Sequence, residues 1–168
     1  FSCPGQLVDI NPDPISPNVV EGCQIGIFSL ERGGDTTVAL DVDLTFGGTA
    51  IYNVDYTLVD IFMNPAPTTV TFAPNEITKI FALLGTQDFL PEGTESIDIT
   101  ATWNICTEVL SATQSFELQD VSVALVCPAD MMVPATPGLC GANVTWPLPT
   151  VISNCNGVLL NRTDGLPF

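Results

Sequence analysis

The stretch VALDVDLTFGGTAIYNVDYTL, residues 38–58, decides the fold. In this stretch Val38, Leu40, Val42 and Leu44 share one face of a β-strand, and Asp41 and Asp43 share the other. We interpret these two aspartates as a solvated face. Further along, a glycine pair precedes Asp55, which stands where the next strand should begin. A carboxylate at that point needs an explanation.

The same period of two recurs along the chain, and no window of eleven or more residues shows a helical stripe. We therefore predict an all-β chain. Turn-rich pieces such as NPDPISPN (residues 11–18) and PEGTE (residues 91–95) separate the apolar runs. Short strands at this spacing predict a β-sandwich. The candidate strands are residues 6–10, 24–30, 37–46, 55–62, 68–73, 78–84, 96–103 and 115–126.

The charge balance limits the kinds of partner. Lys and Arg total 3 against 19 Asp and Glu, with no His, which gives a formal net charge of −16. Nucleic acid and anionic membrane surfaces would be repelled, and cations are the natural partners. Acidity of this kind also serves simple solubility.

Six cysteines, at positions 3, 23, 106, 127, 140 and 155, form no C-x-x-C pair, and the chain has no His to complete a zinc site. Disulfide bonds are therefore favoured over metal thiolates, and they predict an oxidising, extracellular compartment. Two N-x-T motifs at Asn143 and Asn161 are typical of glycosylated surface loops. We therefore expect a secreted or cell-surface glycoprotein.

A change in composition near Val126 predicts a domain boundary. Of the 19 acidic residues, only Asp130 and Asp164 follow it, together with many Pro, Gly and Asn. We expect an extended N-terminal linker at residues 1–18, a sandwich at 19–120 and a second unit at 121–168. The second unit is short for a sandwich core of its own, so we expect it to be incomplete or completed by a neighbour. The start at Phe1 suggests a processed N-terminus or a fragment, and no membrane helix is expected.

Five landmarks occur in order between residues 19 and 102: EG before a strand (21–22), R-x-G (32–34), GTA with DY following (48–56), F-x-P-x-E (72–76) and E-x-x-E (92–95). In this order they resemble a Calx-β domain. The resemblance implies an immunoglobulin-like β-sandwich. Some members of that family bind Ca²⁺ in loops at one end of the sandwich, and others have lost the ligands.

The second unit carries CPAD (127–130), G-x-C (138–140), VTWPLP (144–149) and NC-x-G (154–157). These motifs resemble the first half of a hyalin repeat, which is an immunoglobulin-like extracellular module. The resemblance implies a partial second immunoglobulin-like β module. Modules of both families occur in tandem in large surface and matrix proteins.

The Calx-β resemblance implies a candidate calcium site, because carboxylates from several loops at one tip can supply the six to eight oxygens that Ca²⁺ needs. Two clusters of aspartates in the family are each reduced here to one residue, Asp88 and Asp120, so we expect one ion rather than four. The alternative is that these carboxylates only bracket turns and bind loop amides. The candidate ligands are Glu21, Asp55, Asp88, Glu92, Glu95 and Asp120.

The hyalin resemblance implies a disulfide between Cys140 and Cys155, while the partner of Cys127 in that family would lie beyond residue 168. For the remaining three cysteines, Cys23 with Cys106 and Cys3 with Cys23 both stay open.

The chain lacks the usual signatures of catalysis: it has no His, no G-x-S-x-G, no P-loop and no G-x-G-x-x-G. We expect a non-enzymatic, extracellular structural or adhesive module of a tandem-repeat fibre or filament, without an organic cofactor. Its partners would be neighbouring repeats or identical subunits, and a glycan or protein ligand would be of unknown identity. The alternative is a Ca²⁺-responsive binding module whose ion regulates interdomain rigidity or ligand affinity.

Overall fold

The computed structural model describes residues 5–88, 90–145 and 147–158. The chain divides into two compact units, Phe1–Val121 and Ser122–Phe168, which are described separately below. This division lies one residue beyond the boundary expected from composition. Among the described residues, no helix has the length and apolar character needed to cross a bilayer.

Unit 1 is built from two sheets. The strands are β1 (Gln6–Pro12), β2 (Val19–Val20), β3 (Gly26–Gly34), β4 (Leu40–Gly48), β5 (Tyr56–Asp60), β6 (Thr69–Phe72), β7 (Thr78–Gly85), β8 (Thr94–Ile105) and β9 (Glu108–Gln119). One sheet has the strand order β1-β3-β7-β5 and the other β2-β9-β8-β4-β6, and all neighbours are antiparallel except β2 and β9.

The alternation in β4 works as the sequence predicts. Its apolar residues from Leu40 to Leu44 are buried, and Asp41 and Asp43 are exposed. Each aspartate accepts a hydrogen bond from a threonine of the neighbouring strand β6, at 2.6 Å from Thr71 and 2.7 Å from Thr69. The solvated-face interpretation of these two aspartates is therefore confirmed. Val38, in contrast, is exposed, because the strand begins only at Leu40.

The core lies between the two sheets and contains large side chains from both. Phe28 of β3 packs against Phe81 and Phe116, with ring centroids 5.8 and 5.6 Å apart. Tyr56 and Phe72 are fully buried in the same cluster. The predicted all-β sandwich is confirmed.

The N-terminal segment is part of the sandwich rather than a linker. β1 pairs with β3 along its whole length, and its inward residues Val8 and Ile10 are buried in the core. The Trp103 indole N–H also donates a hydrogen bond to the Gln6 carbonyl at 3.2 Å. Burying this apolar face is worth several kcal/mol, which favours pairing over an extended tail. The sandwich therefore begins before Val19.

The predicted strand at residues 115–126 is two strands. β9 starts earlier, at Glu108, and ends at Gln119, whereas β10 (Val123–Val126) belongs to unit 2. The sequence pattern did not predict a strand at residues 108–114, because the Thr, Ser and Gln residues there interrupt the apolar alternation. They are held by full pairing with β8.

In unit 2, β10 pairs antiparallel with β11 (Thr150–Ser153). None of the described residues from 122 to 158 is buried, and several large apolar side chains, including Met132 and Leu139, are exposed. A two-stranded ribbon gives little information about the class of module. The immunoglobulin-like and hyalin-repeat interpretation of this unit stays a prediction.

The structure corrects the Cys140–Cys155 pairing. Cys140 is a free, exposed thiol, as is Cys127, whereas Cys155 is disulfide-bonded. The disulfide that the hyalin resemblance implies between Cys140 and Cys155 is therefore not formed.

The Cys23–Cys106 pairing is also wrong, although both cysteines are disulfide-bonded. Cys23 follows Glu21, whose N–H binds the Gln119 carbonyl at the end of β9, while Cys106 stands just before Glu108 at the start of β9. Eleven strand residues span about 36 Å. A disulfide needs Cα atoms within about 7 Å.

The remaining cysteine and the two N-x-T motifs are only partly described by the structure. Cys3 and the Asn161 sequon lie outside the described residues. Asn143 is exposed, so its N-x-T motif is accessible. Its glycosylation stays a prediction.

The glycine pair at the end of β4 provides a matched test of the fold. Gly48 has φ of 102°, and a Cβ added there would lie 2.2 Å from the Ser96 carbonyl oxygen, whereas a Cβ on Gly47 has 4.0 Å of space. We expect Gly48→Ala to lower the free energy of unfolding by about 2–4 kcal/mol. We expect Gly47→Ala to change it by at most about 0.5 kcal/mol. Urea unfolding measures both, and equal effects would contradict the predicted strain at Gly48.

Candidate metal centre

Carboxylates gather at one end of the unit 1 sandwich. All six candidate ligands lie close to the end of a strand: Glu21, Asp55, Asp88, Glu92 and Asp120 in the connections, and Glu95 as the second residue of β8. Three of them, Glu21, Asp88 and Glu92, each place a carboxylate oxygen within 4.8 Å of the others. These three residues are separated by up to 71 positions in sequence, so only the sandwich brings them together.

Backbone hydrogen bonds hold this tip. The Glu21 N–H binds the Gln119 carbonyl at 3.0 Å, which fixes the segment after β2 to the end of β9. The Thr86 N–H binds the Asp55 carbonyl at 2.7 Å, which fixes the end of β7 to the start of β5. Main-chain hydrogen bonds thus set the backbone positions of Glu21 and Asp55.

Two glycines allow this close approach. Gly22 has φ of 66°, and a Cβ on Gly85 would lie 3.1 Å from the Cα of Glu21. A Cβ on Gly22 would lie 2.7 Å from the side-chain oxygen of Gln87. Gln87 therefore places its side-chain amide oxygen close to Gly22, the residue that follows Glu21. Gln87 could not be predicted from motifs of acidic residues, because its side chain is neutral.

The three central oxygens fit a single hard cation. Ligand oxygens lie 2.3–2.6 Å from Ca²⁺, so two oxygens that share one ion are separated by at most about 5 Å. Glu21 is buried, whereas Asp88 and Glu92 are exposed. A cavity of about 280 Å³ adjoins the cluster and is lined by Glu21, Leu90, Pro91, Asp120 and Val121. The tip therefore has acidic oxygens, one of them buried, and open space beside them.

Two of the other candidate carboxylates bind loop amides. Asp120 accepts hydrogen bonds from the N–H groups of Glu92 and Gly93, both at 2.9 Å, and Asp55 accepts one from Ile51 at 2.6 Å. Such hydrogen bonds agree with the alternative interpretation, in which Asp55 and Asp120 bind the backbone amides of their loops. They also bring the backbone of Glu92 to Asp120, so the bonds that brace the turn help to assemble the cluster.

The cluster is electrostatically strained. Burial, followed by the nearby charges of Asp120, Asp88, Glu92 and Asp55, raises the pKa of Glu21 from 4.5 to about 7. No positive charge is among the causes, so repulsion is uncompensated by the described side chains.

Glu92 and Glu95 share this environment. Desolvation raises the pKa of Glu92, and the charges of Asp88, Asp55 and Asp120 add to it. The pKa of Glu95 is raised by desolvation and then by Asp55. All six predicted carboxylates therefore belong to one interacting group, although only three lie close enough to share an ion in the geometry described.

Comparisons with known proteins find similarity among solved structures alone. No protein-family model matches the chain, and no curated protein is significantly similar to it. Among solved structures, it is similar to the apo form of the Calx CBD1 domain (20% identity, 67% of this chain and 96% of that one, TM-score 0.49). It is also similar to a FixG-related protein from Vibrio parahaemolyticus (15% identity, 69% and 96%, TM-score 0.40). At these values neither likeness assigns the chain to a family.

The raised pKa of Glu21 predicts how stability depends on pH without metal. Between pH 4.5 and about 7 the folded protein keeps a proton on Glu21 that the unfolded chain releases. The folded state then binds more protons, so the free energy of unfolding falls as pH rises, by about 1–3 kcal/mol. Urea unfolding in EDTA between pH 5 and 8 measures the slope.

The control for this experiment is Glu21→Gln, which cannot ionise. We expect its stability to vary much less with pH over the same window, because the main titrating group has been removed. An unchanged slope in this variant would show that Glu21 is not the group responsible.

Proposed function

We propose that the chain is a non-enzymatic β-sandwich module that binds one Ca²⁺ ion at the tip of unit 1. The observation that carries the proposal is the approach of Glu21, Asp88 and Glu92 within 4.8 Å, with Glu21 buried and no cation beside them among the described residues. Holding like charges together costs free energy, and a divalent cation would offset this cost.

The surrounding oxygens favour calcium among biological cations. Ca²⁺ accepts six to eight oxygen ligands in irregular geometry, whereas Mg²⁺ demands a tight octahedron. Glu21, Asp88 and Glu92 would bind directly, and Gln87, backbone carbonyls and water would complete the shell. Asp55, Glu95 and Asp120 would contribute negative potential, or ligands after small side-chain rotations.

Asp120 suggests how an ion would act at a distance. It is the first residue after β9 and lies two positions before unit 2 begins. An ion beside Asp120 would restrain the direction in which the chain leaves unit 1. The module would then respond to Ca²⁺ by stiffening the connection between units, which is the regulatory role that we propose.

The cysteines support an extracellular compartment. Cys23, Cys106 and Cys155 are disulfide-bonded, and such bonds persist in oxidising environments. Extracellular Ca²⁺ is present at millimolar concentration, which weak sites of this kind can use. We therefore place the module outside the cell, as a secreted or surface protein.

Calcium titration tests the proposed site. We expect Ca²⁺ to raise the melting temperature and to bind with measurable heat, because the ion binds only the folded state.

Glu21→Gln should weaken binding at least about tenfold. Asp55→Asn should weaken it about two- to fivefold with little loss of stability, because an amide oxygen can still accept the Ile51 hydrogen bond while the charge is lost. Isothermal calorimetry measures each affinity.

Glu108→Gln is the matched control, because it removes the same charge at the opposite end of β9. We expect this variant to change the affinity by less than about twofold. No heat and no thermal shift in the wild-type protein would exclude the calcium site. Loss of stability in Asp55→Asn without a change in affinity would show that Asp55 is only a turn residue.

A structural or adhesive role is the second candidate, favoured by the exposed apolar side chains of unit 2. Val123 and Leu125 of β10 and Ile152 of β11 are all at least half exposed. Exposed apolar strands are typical of surfaces that pack against another module or pair with another strand. Neighbouring repeats or identical subunits of a fibre are the proposed partners.

Sedimentation of the chain tests the identical-subunit form of this role. Association through unit 2 should increase between about 1 and 100 µM protein and should be reduced by Leu125→Ser or Ile152→Ser. Val109→Ser, on the exposed face of β9 in unit 1, is the control and should leave it unchanged. A monomer over the whole range would exclude identical subunits as the partner.

A further inference from the structure

A groove on the outer face of the β1-β3-β7 sheet has no part in the calcium site. Its volume is about 360 Å³, enough for two or three side chains. Pro12 and Pro14 form part of its wall, and Ile27 of β3 and Ile80 of β7 supply apolar surface from the sheet. Ile80 is 49% exposed, so this surface is open to a partner.

Carboxylates accompany the apolar surface. Glu31 lines the groove, and Asp9 stands directly opposite Glu31 in the antiparallel register of β1 and β3. Both are exposed, and like charges directly opposite one another destabilise a sheet. Within the described part of the chain, the hydrogen bond that Glu31 accepts is a long one of 3.5 Å from the Ser29 hydroxyl.

Neither described cation relieves this repulsion. Lys79 precedes Ile80 on β7 and therefore points to the other face, where its ammonium group lies 2.9 Å from Glu76. Arg32 is buried and donates hydrogen bonds to the carbonyls of Asp35 and Val38. The outer face of this sheet thus combines aliphatic surface with unpaired negative charge.

We propose that this groove is a docking surface for a basic segment of another protein, which inserts a lysine or arginine side chain. The aliphatic stem of that side chain lies against Ile27 and Ile80, and its charged head neutralises Glu31 and Asp9. Lysine and arginine have the required combination of apolar stem and cationic tip. The proposal goes beyond calcium binding and does not depend on it.

Two other occupants fit less well. A second copy of the chain carries the same net charge of −16 and would bring further carboxylates to the groove. A metal ion needs several oxygens around one point, and among the described residues the grouping that meets this need is at the sandwich tip, not here.

The test uses the full chain in EDTA and a capped hexapeptide that alternates lysine and leucine, with a lysine–serine hexapeptide of equal charge as the comparison. Fluorescence anisotropy measures the affinity. We expect Glu31→Gln to weaken binding of the lysine–leucine peptide about fivefold and Glu117→Gln, the same charge change on exposed β9, by less than twofold. Ile80→Ser should also weaken it, and Val109→Ser should not.

A stability measurement separates lost binding from lost folding. Because Glu31→Gln removes a cross-strand repulsion, its melting temperature should rise by about 2 °C. Equal weakening by Glu31→Gln and Glu117→Gln would show attraction by net charge alone and overturn the proposal. So would equal affinity for both peptides, or a dimer of the protein alone that Glu31→Gln abolishes.

Discussion

Mutual repulsion among carboxylates at the sandwich tip is the constraint on which the functional interpretation depends. Glu21, Asp88 and Glu92 approach one another because the strands that flank them are fixed by main-chain hydrogen bonds and by a buried core. Burial, and then the repulsion of the neighbouring carboxylates, raises the pKa of Glu21 to about 7. The core stabilises the fold enough to tolerate this cost, and a cation would remove it.

The sequence predicts much of this arrangement, because a sheet with one buried face has a period of two. In β4 the alternation assigns Asp41 and Asp43 to the solvated face, and the structure agrees. The candidate ligands were identified by short motifs at strand ends, such as EG at 21–22 and E-x-x-E at 92–95. Strand ends of a sandwich meet at its tips, and three of the six predicted carboxylates, Glu21, Asp88 and Glu92, do lie together there; the six-residue ligand set stays a prediction.

Other features depend on long-range pairing that no local pattern encodes. Both predicted disulfide pairings were wrong. The distance that separates Cys23 from Cys106, for example, follows from the full length of β9 and not from their positions in sequence. The first half of β9 was missed since its polar residues are held by partners in β8. Gln87 was missed because its position beside Gly22 depends on packing and not on a pattern of charges.

In a chain with 19 acidic residues, acidity alone does not distinguish a site from a soluble surface. The difference lies in how each carboxylate is satisfied. Asp41 and Asp43 accept hydroxyl hydrogen bonds from Thr71 and Thr69, so they need no further partner. The Glu21 cluster and the Asp9–Glu31 pair have no described cation beside them, although Asp88 accepts a hydrogen bond from the Leu90 N–H and Glu31 a long one from the Ser29 hydroxyl. Their repulsion is a cost of the fold that a proton or a bound cation would reduce, and we propose a metal ion at the first place and a basic side chain at the second.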